Sequence, residues 1–173
     1  MFNGPSGITL DEGILAPLCR ARKHAWLADL VPHSCANDKQ KAALDRCYIP
    51  RMVEWNLPVP CVPPVPSRLA TSARQDKIAA ELLESRAQVL VLLGDEPIRR
   101  FSSRWHQRCR HLADFGTDTD TYGRLTEVNV AGARVALLPL AHPRQVAKLG
   151  RSSTHWYELH QHWITCHAGN LLS

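Results

Sequence analysis

The chain has 173 residues, 45% of them hydrophobic, and 21 Lys and Arg against 16 Asp and Glu give a formal charge of +5 and a pI near 9.1. That suffices for one sizeable core, a single domain over 1–173, and excludes a disordered chain. The modest basic excess favours a polyanionic partner without requiring one.

Gly4-Pro5 and Ser6-Gly7 are turn signals, after which Leu10, Ile14, Leu15 and Leu18 predict a helix over 10–20. Thr9 and Glu12 fit a capping box for it. Ser6 and Gly7, just ahead of its start, suit either phosphate binding through backbone N–H groups or an ordinary capped helix. Residues 23–31, KHAWLADLV, read as a short buried strand ending at Asp29, with a loop over Pro32, His33 and Ser34. A helix over 37–55 follows, which Pro50 should kink or divide. Residues 57–67, LPVPCVPPVPS, hold five of the twelve prolines, so they form an extended, polyproline-like connector laid across one domain.

Residues 71–86 predict a helix with Ile78, Ala79, Leu82 and Leu83 as its apolar stripe, and QVLVLL over 88–93 predicts a strand. The segment 98–111 interleaves Arg99, Arg100, Arg104, Arg108 and Arg110 with Phe101 and Trp105. Such a mixture suits phosphate contacts and base stacking, or an amphipathic helix whose two aromatics face the core. Residues 125–130 and 134–140 form a hairpin about Ala131-Gly132. A last helix over 153–167 carries Trp156, Leu159, Trp163 and Cys166 at helical spacing. Its histidines 155, 160, 162 and 167 supply too few ligands on one face for a metal site, so no metal is expected.

The apolar run 135–140 fits a strand buried on both faces, and it ends abruptly in Ala141-His142-Pro143-Arg144. Ligands of open α/β sheets bind outside the carboxyl ends of strands, which makes His142 the candidate catalytic residue; the plainer reading is a loop cap. The strand–helix alternation predicts an α/β fold, a three-layer α/β/α sandwich around a short, mainly parallel sheet. The six cysteines form no C-x-x-C pair. No secretory signal is evident, and no apolar run reaches the roughly 18 residues a bilayer demands, so a soluble, intracellular protein with reduced thiols is expected, cytoplasmic, or nucleoid-associated if bacterial.

Phe2-Asn3-Gly4-Pro5-Ser6-Gly7 followed by Leu10-Asp11 resembles a segment of the uracil-DNA glycosylase superfamily. Leu27 to Pro32 resembles its second strand and loop, Val89 to Gly94 its strand ending V-x-L-G, and Leu138 to Arg144 its closing H-P-S or H-P-R motif. Order and spacing match over nearly the whole chain. The resemblance implies cleavage of the N-glycosidic bond of a flipped uracil or modified base, a cytosine-derived one included, in DNA, by a monomer without cofactor. It implies that His142 donates to the base's O2, Phe2 stacks on the base and Asp29 reads its edge. Ser6, Gly7, Arg144, Gln145, Lys148 and Arg151 would contact DNA. The family's G-x-x-P-G motif, which carries or precedes the water-activating residue, lies upstream of the Phe segment, whereas this sequence starts at Met1-Phe2. The expectation is therefore a sheet lacking its first strand, and little activity without an upstream segment. Cys35 and Cys47 lie where two of four cluster ligands would fall in the iron-sulfur branch, and no cluster is expected from two. The alternative from another class is a catalytically inactive nucleic-acid-binding relative. Absence of G-x-S-x-G and of G-x-x-x-x-G-K-[ST] counts against a common hydrolase or nucleotide-binding protein.

Overall fold

A computed structural model describes residues 4–150 and 152–172. Its organising element is strand β3 (Ala133–Leu140), whose last four residues are all buried. β3 pairs in parallel with β1 (Val89–Leu93) and antiparallel with β2 (Thr126–Val130), giving the order β1-β3-β2. The expected α/β character is present; the sheet, however, is mixed, one pair parallel and one antiparallel, and not mainly parallel.

The residues explain this arrangement. β2 alternates, with Val128 and Val130 buried and Glu127 and Asn129 exposed, as an antiparallel strand with one solvated face requires. The β2–β3 turn has positive φ at both Ala131 (50°) and Gly132 (94°), matching the twist of a two-residue hairpin. Pro139 lacks a ladder donor, yet it sits in the central strand. The β2 ladder stops at the Thr126–Leu137 pair, so at Pro139 β3 is paired with β1 alone.

Helix α1 (Pro5–Leu10) begins at the N-cap Gly4 and continues as a π-helical turn over Asp11–Leu15. The start is earlier than the apolar spacing suggests because Pro5 is pre-set for a first helical turn. The Thr9 hydroxyl accordingly donates to the Pro5 carbonyl, as an interior residue does, instead of forming a cap with Glu12. Leu10, Ile14, Leu15 and Leu18 are buried as expected.

The strand expected at 23–31 is not formed. A 3₁₀ turn over Arg22–His24 leads into chain that makes no ladder, with Trp26 and Leu27 exposed at 58% and 42%. Both edges of β3 are taken by β1 and β2, so its apolar side chains gain no central position. Helix α2 (Asp38–Ala43) opens on a reciprocal Asn37–Gln40 cap and runs through a π-helical turn, Leu44–Tyr48, into α3 (Ile49–Glu54). Pro50 lacks the N–H an α-helical turn would use, so the expected division takes the form of this widened turn. None of these helical residues is buried. The proline-rich connector forms no helix and meets Ala36 through a parallel bridge at Pro64.

Helix α4 (Ser72–Ser85) is capped by the Thr71 hydroxyl, which accepts from the Arg74 amide, and stops at Arg86 in the left-handed conformation. Ile78, Ala79 and Leu82 are buried, whereas Leu83, expected in the same stripe, is 43% exposed. After β1 comes α5 (Asp95–Arg100), which sends Ile98 into the core. A four-residue helix, α6 (Pro143–Val146), follows β3, and α7 (Thr154–Cys166) buries Leu159, His160 and Trp163. The buried apolar residues of α1, α4, the sheet, α5, α6 and α7 form one cluster. No described helix is long and apolar enough to cross a membrane.

Candidate functional site

The β1–β3 register pairs Leu93 with Leu140, so both strands end level and Gly94 lies beside Ala141-His142. The Gly94 amide donates to the Leu140 carbonyl at 2.8 Å. A Cβ at Gly94 would stand 3.0 Å from the Cβ of His142, and its φ of +83° is one a side chain disfavours. Glycine lets the two strand ends meet.

His142 is the N-cap of α6. Its Nδ1 accepts from the Arg144 amide at 3.1 Å, and its own amide donates to Gln145 Oε1 at 3.1 Å. With Nδ1 an acceptor, the proton of the neutral ring resides on Nε2. Burial holds the imidazole's pKa below its ordinary value, the Arg144 guanidinium adds to the depression, and the Asp29 carboxylate opposes it. The arrangement is therefore a neutral N–H donor at the carboxyl end of the central strand. It is also a loop cap, as the plainer sequence reading of His142 has it.

Around it lies an open depression lined by His142, Arg144, Gln145, Leu149, Ser152 and Ser153. Arg144 is exposed on its wall. Gln145 spends its Oε1 on the His142 amide. Lys148, held at φ 53°, places its ammonium 5.4 Å from the centre of the Tyr157 ring. Asp29 is close enough to act electrostatically on His142; its carboxylate also accepts weakly from the Val31 amide at 3.4 Å, and its carbonyl accepts twice from the Arg74 guanidinium. Ser6 and Gly7 fall inside the first turn of α1 and not ahead of it, and the Gly7 amide donates to Gly4 O. Their helix nevertheless packs on α6, with Gly13 against Val146. The candidates Phe2 and Arg151 lie outside the described residues.

The arginines of 98–111 divide. Arg99 and Arg100 pair with Glu96, and Arg104 pairs with Asp76 at 2.5 Å, while Phe101 is buried and stacks on Trp105 at 4.7 Å between ring centres. The aromatics thus serve the core, and three of the five cations already have carboxylate partners. Among the described residues, no three His, Cys, Asp or Glu side chains converge as a metal-ligand set.

Behind the site lie two residues that periodicity did not single out. The Tyr122 hydroxyl accepts from the Ala141 amide at 2.9 Å and meets His160 Nδ1 at 2.8 Å, and His160 Nε2 meets the Gly13 carbonyl at 2.8 Å. His160 is wholly buried, and burial depresses its pKa; burial likewise raises that of Tyr122 well above the ordinary phenol value. Trp156, His160 and Trp163 at i, i+4 and i+7 do mark His160 as core-facing. Tyr122 sits in a polar turn and carries no such signal.

Fold and site together define a mixed α/β protein with a neutral histidine donor where two parallel strands end. No protein-family model matches the chain, and no curated protein does.

Proposed function

We propose that this chain is a base-excision domain of the uracil-DNA glycosylase type, hydrolysing the N-glycosidic bond of a uracil or modified base flipped out of DNA. The observation that carries the reading is the His142 imidazole, capped at Nδ1 so that its proton resides on Nε2, in the residues that follow the level ends of β1 and β3. When the C1′–N bond breaks, its electron pair moves into the base; water adds to C1′, and the proton it loses neutralises the departing base anion. Charge develops on the base's O2, and a preorganised N–H aimed there stabilises the transition state more than the ground state. A neutral donor suits that task, since it needs no proton from solution.

The remaining residues take roles around this step. Phe2 stacks on the flipped base and Asp29 reads its edge. Arg144, Lys148 and Arg151 hold phosphates with Gln145, Ser6 and Gly7 beside them. The α/β/α layering, the monomeric state and the DNA partner belong to the same proposal. The competing reading, a nucleic-acid-binding relative without catalysis, is favoured by one observation: the depression at His142 is open to solvent.

Single-turnover excision on oligonucleotides bearing uracil and modified cytosines separates the two. His142→Ala should slow base release by about 3 kcal/mol of barrier, near a hundredfold, while DNA affinity changes little. Wild-type protein that binds DNA without releasing any base from the panel would leave the binding reading standing alone.

A further inference from the structure

The ladder between β1 and β3 ends at the Leu93–Leu140 pair, so the backbone beyond it needs other partners. The amides of Gly94, Ala141 and His142 each have one. The Leu140 carbonyl takes the Gly94 amide, the Ala141 amide goes to the Tyr122 hydroxyl, and the His142 amide goes to Gln145. The Tyr122 contact lies in the core, since Ala141 is fully buried and Tyr122 nearly so.

The hydrogen bonds behind Tyr122 have only one consistent direction. Gly13 O is an acceptor, so His160 Nε2 carries the proton; Nδ1 then accepts the Tyr122 hydroxyl proton, and a lone pair of that oxygen is left facing the Ala141 N–H. The far end returns to the same place. Gly13 packs on Val146 of α6, the helix that His142 caps. The ring of His160 is itself clamped between Tyr122 and Trp163, and Trp163 is fixed by its Nε1–H bond to Gly123 O at 3.1 Å.

We propose that Tyr122 and His160 are positioning residues for His142, a buried relay from the Gly13 carbonyl to the Ala141 amide that fixes where the His142 ring points. The proposal deepens the base-excision reading and rests on it for the catalytic consequence; the positioning itself does not. Removing the Tyr122 hydroxyl leaves a buried N–H at Ala141 unpaired, which is costly enough to move the strand end.

The test uses Tyr122→Phe and, independently, His160→Gln, whose amide can still donate to Gly13 and accept from Tyr122. Amide exchange at Ala141 and the NMR titration of the His142 ring are read without substrate; single-turnover excision and DNA affinity are read with it. Tyr122→Phe should accelerate Ala141 exchange about tenfold and move the His142 titration toward its ordinary value. It should slow excision with affinity held within about twofold. His160→Gln should keep each of these readouts close to its wild-type value. Unchanged Ala141 exchange and His142 titration in a folded Tyr122→Phe would overturn the proposal, as would failure of both variants to fold. Inert wild-type protein whose His142 titration still moves in Tyr122→Phe would overturn the glycosylase reading and leave the relay in place.

Discussion

Asp29 shows how one side chain sets what a site can read. An ionised carboxylate only accepts, so against the O4 of uracil it meets another acceptor, whereas the N4 amine of cytosine is a donor that carboxylates take. Its position supports such a role, since it lies within electrostatic reach of the His142 ring and in the exposed segment beside it. Its 3.4 Å contact to the Val31 amide is long, so a base could compete for the oxygen. Asp29→Asn should therefore shift preference from amino-bearing bases toward uracil in a competition assay on mixed oligonucleotides. Preferential excision of uracil by the wild type, unaffected by Asp29→Asn, would assign Asp29 to its own loop. The same residue illustrates a limit of sequence reading: it was expected at the end of a strand over 23–31, and that strand is not formed.

Strand ends and helix caps decide whether the site exists at all. Gly94 is the point where β1 turns away at φ +83°, with the Cβ of His142 3.0 Å from where its own would be. Gly94→Ala should lower stability by about 1–3 kcal/mol from its positive φ with ψ near 180° alone, seen as a shifted urea midpoint. It should also disturb the His142 ring resonances, because the neighbouring strand end must give way; a midpoint shift with unmoved ring resonances would place the strain elsewhere. At this scale much was legible in the residues. The hairpin at Ala131-Gly132, the Thr71-capped helix, the terminal helix and the placement of His142 after β3 all follow from short-range patterns that residues 71–86 and 125–167 carry strongly. What was not legible depends on partners distant in the chain. Residues 23–31 have the composition of a buried strand but find no ladder, and the relay joins residues 13, 122, 141 and 160, which no local period connects.

For the molecule as a whole, the two histidines tie stability to pH, and the sign follows from their common direction. Both His142 and His160 titrate below their ordinary value in the folded chain, chiefly because burial disfavours the imidazolium. The unfolded chain binds protons at these two positions near pH 6.5, where the folded chain does not. Their contribution is therefore fully present above about pH 6.5 and is lost progressively as the pH falls through the lowered folded values. Tyr122 acts at the opposite end: its raised pKa keeps the folded phenol protonated while the unfolded one ionises, so stability falls above about pH 10. Asp114 and Asp118 are shifted down from the carboxylate range and respond only below about pH 4, which leaves the interval from about 4 to 6.5 to the histidines. Urea midpoints measured across that interval should fall with acid and flatten in His160→Gln, whose amide does not titrate. An acid limb of equal steepness in His160→Gln would mean that His160 already takes up its proton in the folded state, and the direction assigned to the Tyr122–His160–Gly13 hydrogen bonds would have to be abandoned.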